Sequence, residues 1–244
     1  MAEVPPFATK WDQYLYWCAR FHGTNEFTKD ERNYKIPLAN RLVSAREALL
    51  GGDSQWVELV RRAIHYRDGE FINNLTDWRQ TQTIEQWFQT ETDSAALALR
   101  LLWNDSLPVR DRFNQFAEIV TAHKVKAPIS ETAFLHMAMG IEEFPPFRSG
   151  RMEMAMELTG WPTPKDAGIK VGNMGFRYQH FLQFLDAVVK RGRERGVEFR
   201  DRLDAQSATW CVTDWDPLPT WSDGEKRAFL AYQGKPFTPR ESSA

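Results

Sequence analysis

Apolar residues recur along this chain at spacings of three and four far more often than at two. Trp11, Tyr14, Leu15, Cys18 and Phe21 fall at i, i+3, i+4, i+7 and i+10, which lays them on one face of a helix ending near Gly23. Over residues 30–50, Leu38, Leu42, Ala45 and Leu49 make a second stripe, and Gly51-Gly52 supplies its stop. Behind an Asp53-Ser54 cap, Trp56, Val57, Val60 and Ile64 repeat the pattern, with Arg61 and Arg62 off the apolar side. Further helices are expected over residues 76–89, 94–103 and 109–123, with Asp93 or Ser94, and Pro108, as start signals.

A proline and a cap-like Ser130 in residues 124–130 (KVKAPIS) interrupt the periodicity before an apolar helix over 133–139. The interruption divides the chain into an expected helical lobe over 1–125 and a second over 126–235. Residues 142–149 (EEFPPFRS) must be extended, because each proline removes a backbone donor and disfavours helix in its predecessor. Helices follow over 151–158, closed by Gly160, over 176–191, with Phe181, Leu185, Val188 and Val189 on one side, and over 198–211. Pro217, Pro219, Pro236 and Pro239 mark an irregular C-terminal part, and 236–244 reads as a polar tail or linker. Strand signals reduce to two hairpin candidates, Arg67-Asp68-Gly69 and Ser222-Asp223-Gly224. The expected fold is therefore mainly α: a multi-helix bundle, as one body or as two packed helical lobes, with irregular Pro-rich loops.

Composition sets outer bounds on this reading. Hydrophobic residues make up 42% of the 244 and charged residues 26%, values of an ordinary globular chain that exclude a disordered tail or a fibrous repeat. Net charge is -2, with 15 basic against 17 acidic residues up to Val125 and 16 against 16 beyond it, so no global positive field draws in nucleic acid. Any such binding must come from a local patch. The two cysteines, Cys18 and Cys211, form no CxxC or disulfide framework and fit a reducing compartment. The start, MAEVPPFATKWDQ, lacks a basic segment followed by an apolar one, so a cytoplasmic location and no membrane partner are expected.

Most motif-borne chemistry is missing. No G-x-x-x-x-G-K-[ST] phosphate loop occurs, none of the ten lysines has an acidic residue two positions before it, and no G-x-S-x-G elbow is present. Gly172-Asn-Met-Gly175 matches the GxxG backbone clamp of KH domains, but without the strands that fold requires. His22, His65, His123, His136 and His180 are scattered without metal-ligand spacing. No catalytic residue, metal or cofactor is expected, and a hydrolase with an unrecognised site is the weaker alternative.

One constellation stands above background. Residues 190–202 (KRGRERGVEFRDR) carry six basic and three acidic side chains, the densest positive patch of the chain. Lys190, Arg191, Arg193 and Arg195 are candidate phosphate contacts, provided that Gly192 and Gly196 break the helix and let them fan out. A continuing helix would split them between faces, with Glu194 and Glu198 offsetting the charge, and the bland reading is a solvated turn with pairs such as Arg200 with Asp204. Arg148 and Arg151 follow Phe144-Pro-Pro-Phe147, where an aromatic beside arginines would stack a base unless both rings anchor the core. In RDRLDAQSATW, Leu203 and Trp210 are expected to face inward while Arg202, Asp204 and Gln206 tie neighbouring segments.

Read in order over residues 143–210, the strings EFPPFRSG, ELTGWP, YQHFLQFLD and RGVEFRDRLDAQSATW give the chain its family likeness. It resembles the helical N-terminal region of McrB-like AAA+ ATPases of modification-dependent restriction and phage defence. Trp78, Trp87 and Leu101-Leu102-Trp103 are compatible with that likeness. The resemblance implies a non-enzymatic specificity or adaptor region that engages DNA, modified or not, or a phage-derived trigger. Its partners would be an AAA+ motor holding the nucleotide site and a separate nuclease subunit. The alternative is a structural docking module that joins the motor to that subunit.

Overall fold

The computed structural model describes residues 4–68 and 71–237 and is a mainly α multi-helix bundle. Helix α1 (Lys10–His22) starts at Thr9, whose hydroxyl accepts the Asp12 amide at 3.1 Å, and buries the expected stripe together with Trp17. The helix expected over 30–50 comes in two pieces, a π-helical segment (Phe27–Asn33) and α2 (Lys35–Gly51). The wider turn aims the consecutive Glu31 and Arg32 into the interior, where Lys35 and Asp204 receive them. Gly52, at φ 78°, ends α2 in the left-handed conformation that glycine adopts without steric cost.

Next come α3 (Trp56–Ile64) and a two-residue antiparallel pair, β1 (Arg67–Asp68) with β2 (Phe71–Ile72), in the register Arg67 opposite Ile72 and Asp68 opposite Phe71. This is the first of the two hairpin candidates, and its Gly69 lies outside the described residues. Three helices follow: α4 (Trp78–Thr90), capped by the Asp77 carboxylate on the Arg79 amide, α5 (Thr92–Leu102), and α6 (Val109–Ala122), begun by Pro108. Beyond them lie α7 (Ile129–His136), a 3-10 turn (Met137–Met139), α8 (Ser149–Thr159), α9 (Met174–Arg193), α10 (Arg202–Asp214) and α11 (Asp223–Tyr232).

Two expectations are corrected at the C-terminal end. Helix α10 begins at Arg202 rather than at 198, because the Asp201 carboxylate caps it by accepting the Asp204 amide at 2.8 Å. The second hairpin candidate is instead a helix start: Ser222 and Glu225 form a reciprocal capping box that opens α11 inside the part expected to be irregular. Of the expected tail, residues 238–244 lie outside the described residues.

Helices from both sides of Val125 share one contiguous core. Helix α1 packs on α8 and α10, α6 on α9, and α2 on the 3-10 turn. The α6–α9 crossing depends on Gly175, where a Cβ would stand 2.1 Å from the Arg110 carbonyl oxygen and whose amide donates to Asn114 Oδ1 at 3.1 Å. The GxxG string is thus the start of α9 pressed on α6. Phe144 and Phe147 are buried core anchors, and Leu203 is fully buried, whereas Trp210 is only half-buried. Among the described residues, no helix is long and apolar enough to cross a membrane.

Candidate nucleic-acid interface

Helix α9 does not break at Gly192. It runs through Arg193, and Gly192 is a close-approach position within it: Phe199 folds back over it, and a Cβ would lie 2.7 Å from that ring. The chain reverses at Gly196, φ 76°, where the Val197 amide closes onto the Gly192 carbonyl at 2.9 Å. The basic side chains are therefore separated by the helical repeat, as a continuing helix dictates. Lys190 and Arg193, three positions apart, sit on the same exposed face with no ion-pair partner among the described residues. Arg191 lies off that face, half-buried, its guanidinium 4.7 Å above the Trp11 ring. Arg195 Nε donates to Asp12 Oδ1 at 2.5 Å, and its Nη1 lies 3.8 Å from a Glu194 carboxylate oxygen.

Trp11 anchors this arrangement from beneath. It is nearly buried, edge-on to Trp161 at 6.5 Å between ring centroids, and packed on Phe184 of α9. Through Trp11, the first turn of α1 and the last turn of α9 form one surface. Exposed Lys10 begins α1 next to Trp11, and its side chain runs toward Gly160 at the end of α8 rather than toward the α9 cations.

Arg148 and Arg151 stand elsewhere and are occupied by the fold. Arg148 donates to the Asn74 carbonyl, while Arg151 donates to the Thr213 carbonyl at 3.0 Å and pairs with Asp214 at 2.5 Å, fixing α8 to the end of α10. With Phe144 and Phe147 in the core, this loop offers no ring for stacking a base.

The densest polar network is internal. Asp204, fully buried on α10, accepts from Arg32 Nε at 2.5 Å, from Arg200 Nε and Nη2 at 2.8 and 2.9 Å, and from the Arg200 amide at 3.0 Å. The His22 ring lies 3.3 Å away. Burial alone would raise the Asp204 pKa, but the hydrogen bonds from His22 and Arg200 and the charge of Arg32 hold it well below the usual carboxylate range. Beside it Lys35 joins Glu31, Gln206 Oε1 at 2.9 Å and Ser207 Oγ at 3.2 Å, all buried. Arg202 instead reaches Asp186 of α9 through two bonds at 2.7 and 2.8 Å. These contacts join α1, the π-helical segment, α2, α9 and α10. Cys18 and Cys211 are buried free thiols whose pKa values burial pushes up, so neither presents a reactive thiolate. Among the described residues, no three His, Cys, Asp or Glu side chains converge into a group able to hold a metal ion.

Comparison of this chain with protein families, with characterised proteins and with solved structures finds no match.

Proposed function

We propose that this chain is a non-enzymatic recognition or adaptor region of an McrB-like defence ATPase, acting in the cytoplasm and contacting a DNA backbone through the last turn of α9. The observation that carries this reading is the side-by-side exposure of Lys190 and Arg193 without carboxylate partners among the described residues. Unpaired cations on one face neutralise phosphates without first breaking an internal ion pair. Arg191 on its Trp11 shelf extends the positive edge. At a net charge of -2 the contact is local, engaging about two to four phosphates without regard to sequence. Any discrimination of a modified base or a phage trigger then comes from other surfaces, from the motor or from the nuclease subunit.

A second reading, a docking module between motor and partner subunit, is favoured by a different observation. Val171 is 81% exposed and Phe176 40%, beside an open groove lined by Asn114, Ala117, Glu118, Thr121 and Lys170. The two readings separate by gel shift on unmodified and modified duplexes beside capture of the cognate ATPase and nuclease. Phosphate contact weakens steeply with salt, whereas an apolar interface does not. Capture of either subunit with no shift of any duplex would replace the first reading with the second.

A further inference from the structure

Among the four cations of the α9 turn, Arg195 is the one held by a carboxylate from a distant part of the chain. Its Nε donates to Asp12 Oδ1 at 2.5 Å, across 183 positions of sequence, while Asp12 Oδ2 accepts the Thr9 hydroxyl at 2.6 Å. A carboxylate offers a guanidinium the same pair of oxygen acceptors as a phosphodiester. We infer that Asp12 is an intramolecular gate on the proposed backbone-contacting surface, occupying Arg195 until a nucleic-acid phosphate displaces it. The inference rests on that reading of the surface and adds its regulation.

Exposure sets this pair apart from the buried pairs at Asp204. The Arg195 and Asp12 side chains are 31% and 27% exposed, open to an incoming ligand, whereas Asp204 beneath Arg200 is 0% exposed. Exchange at Arg195 leaves neither partner buried and unsatisfied, so it costs little. The position of the gate also suits the task. Asp12 lies in the first turn of α1, next to Trp11, which carries Arg191. A phosphate that displaces Asp12 therefore meets Arg195 on a surface that already presents cations. Glu194, 3.8 Å from Arg195 Nη1, is a weaker second competitor.

The test measures affinity for a short unmodified DNA duplex from low to physiological salt, for the full chain and four variants. Asp12→Asn preserves the shape that meets Thr9 and is expected to tighten binding about two- to five-fold while leaving the log-log salt slope close to that of wild type, because Arg195 meets the phosphate in both complexes. Glu198→Gln removes a carboxylate near the same turn and is expected to change affinity less and leave the slope alone. In the Arg195→Gln background, adding Asp12→Asn is expected to have no further effect. Equal effects of Asp12→Asn and Glu198→Gln, or an Asp12→Asn gain that persists without Arg195, would overturn the gate while leaving backbone binding intact. Absence of salt-dependent binding by the wild-type chain and by Asp12→Asn would overturn both, and helical circular dichroism of each variant confirms folding.

Discussion

Replacing Asp204 with alanine removes the acceptor on which Arg32, Arg200 and His22 converge. Arg32 is 6% exposed, so the substitution strands a buried guanidinium, a loss that typically costs about 3–5 kcal/mol. Asp201 keeps its 2.5 Å contact with Arg32 Nη2, and Arg200 turns to water, which places the effect near the lower end, at about 3 kcal/mol. For a chain of 244 residues each kcal/mol shifts the melting temperature by roughly 2–4 °C, so a fall on the order of 6–12 °C is expected. Asp204→Asn should not rescue, because its amide nitrogen would point a donor at donors. The assay is thermal and urea unfolding of wild type and both variants, with DNA affinity measured at a temperature where all are folded. A melting temperature within about a degree of wild type, or a stable variant that has lost only ligand affinity, would refute the reasoning.

Burial, acting against the pull of Lys35, pushes the Glu31 carboxyl up to about 7 from an ordinary 4.5, so its contribution is complete below pH 4.5 and is lost as pH rises through about 7. Unfolding free energy measured across that window should fall with pH in wild type by up to about 1.4 kcal/mol per unit relative to Glu31→Gln, and parallel profiles would disprove it. Asp204 has the opposite sign: its contribution is present above its unfolded pKa near 3.8 and fades only as pH falls toward its depressed folded value, so Asp204→Ala should lose its penalty in strong acid. Gly175→Ala should destabilise by roughly 1–3 kcal/mol or more because its methyl meets the Arg110 carbonyl. Gly150→Ala, in open space at the start of α8, should be neutral or stabilising by up to about 1 kcal/mol; equal melting temperatures for the two alanine variants would contradict the α6–α9 packing.

Helix α1 was legible because each position of its stripe is buried and its ends carry Thr9 and Gly23, all local signals. The π-helical segment was not, because its cause is tertiary: Arg32 adopts that register to reach Asp204, 172 positions away. Helix α11 was readable in principle from the Ser222–Glu225 capping box, but the flanking prolines suggested irregular chain. The pairing of Arg200 with Asp204 could be read from their four-residue spacing, although the spacing revealed neither Arg32 nor His22. At the surface, the density of positive charge over 190–202 was plain. How the cations are arranged was not, since Arg191 lies on the Trp11 ring, Asp12 holds Arg195, and helix phase sets Lys190 beside Arg193. The approach of α1 to this turn had no local signal because it is created by the packing of Trp11 under α9.

Backbone contact at the end of α9 rests on Lys190 and Arg193. Reversing both charges, Lys190→Glu with Arg193→Glu, touches no ion pair among the described residues and should keep the helical spectrum, with only the modest loss of stability, about 0.3–1 kcal/mol per site, that follows from replacing cations in the last turn of a helix. Binding to a single duplex, followed from low to physiological salt, should weaken in the double variant, with its log-log slope flatter by about two, roughly one for each lost phosphate contact. Affinity and slope identical to wild type in a folded double variant would contradict backbone contact at the end of α9.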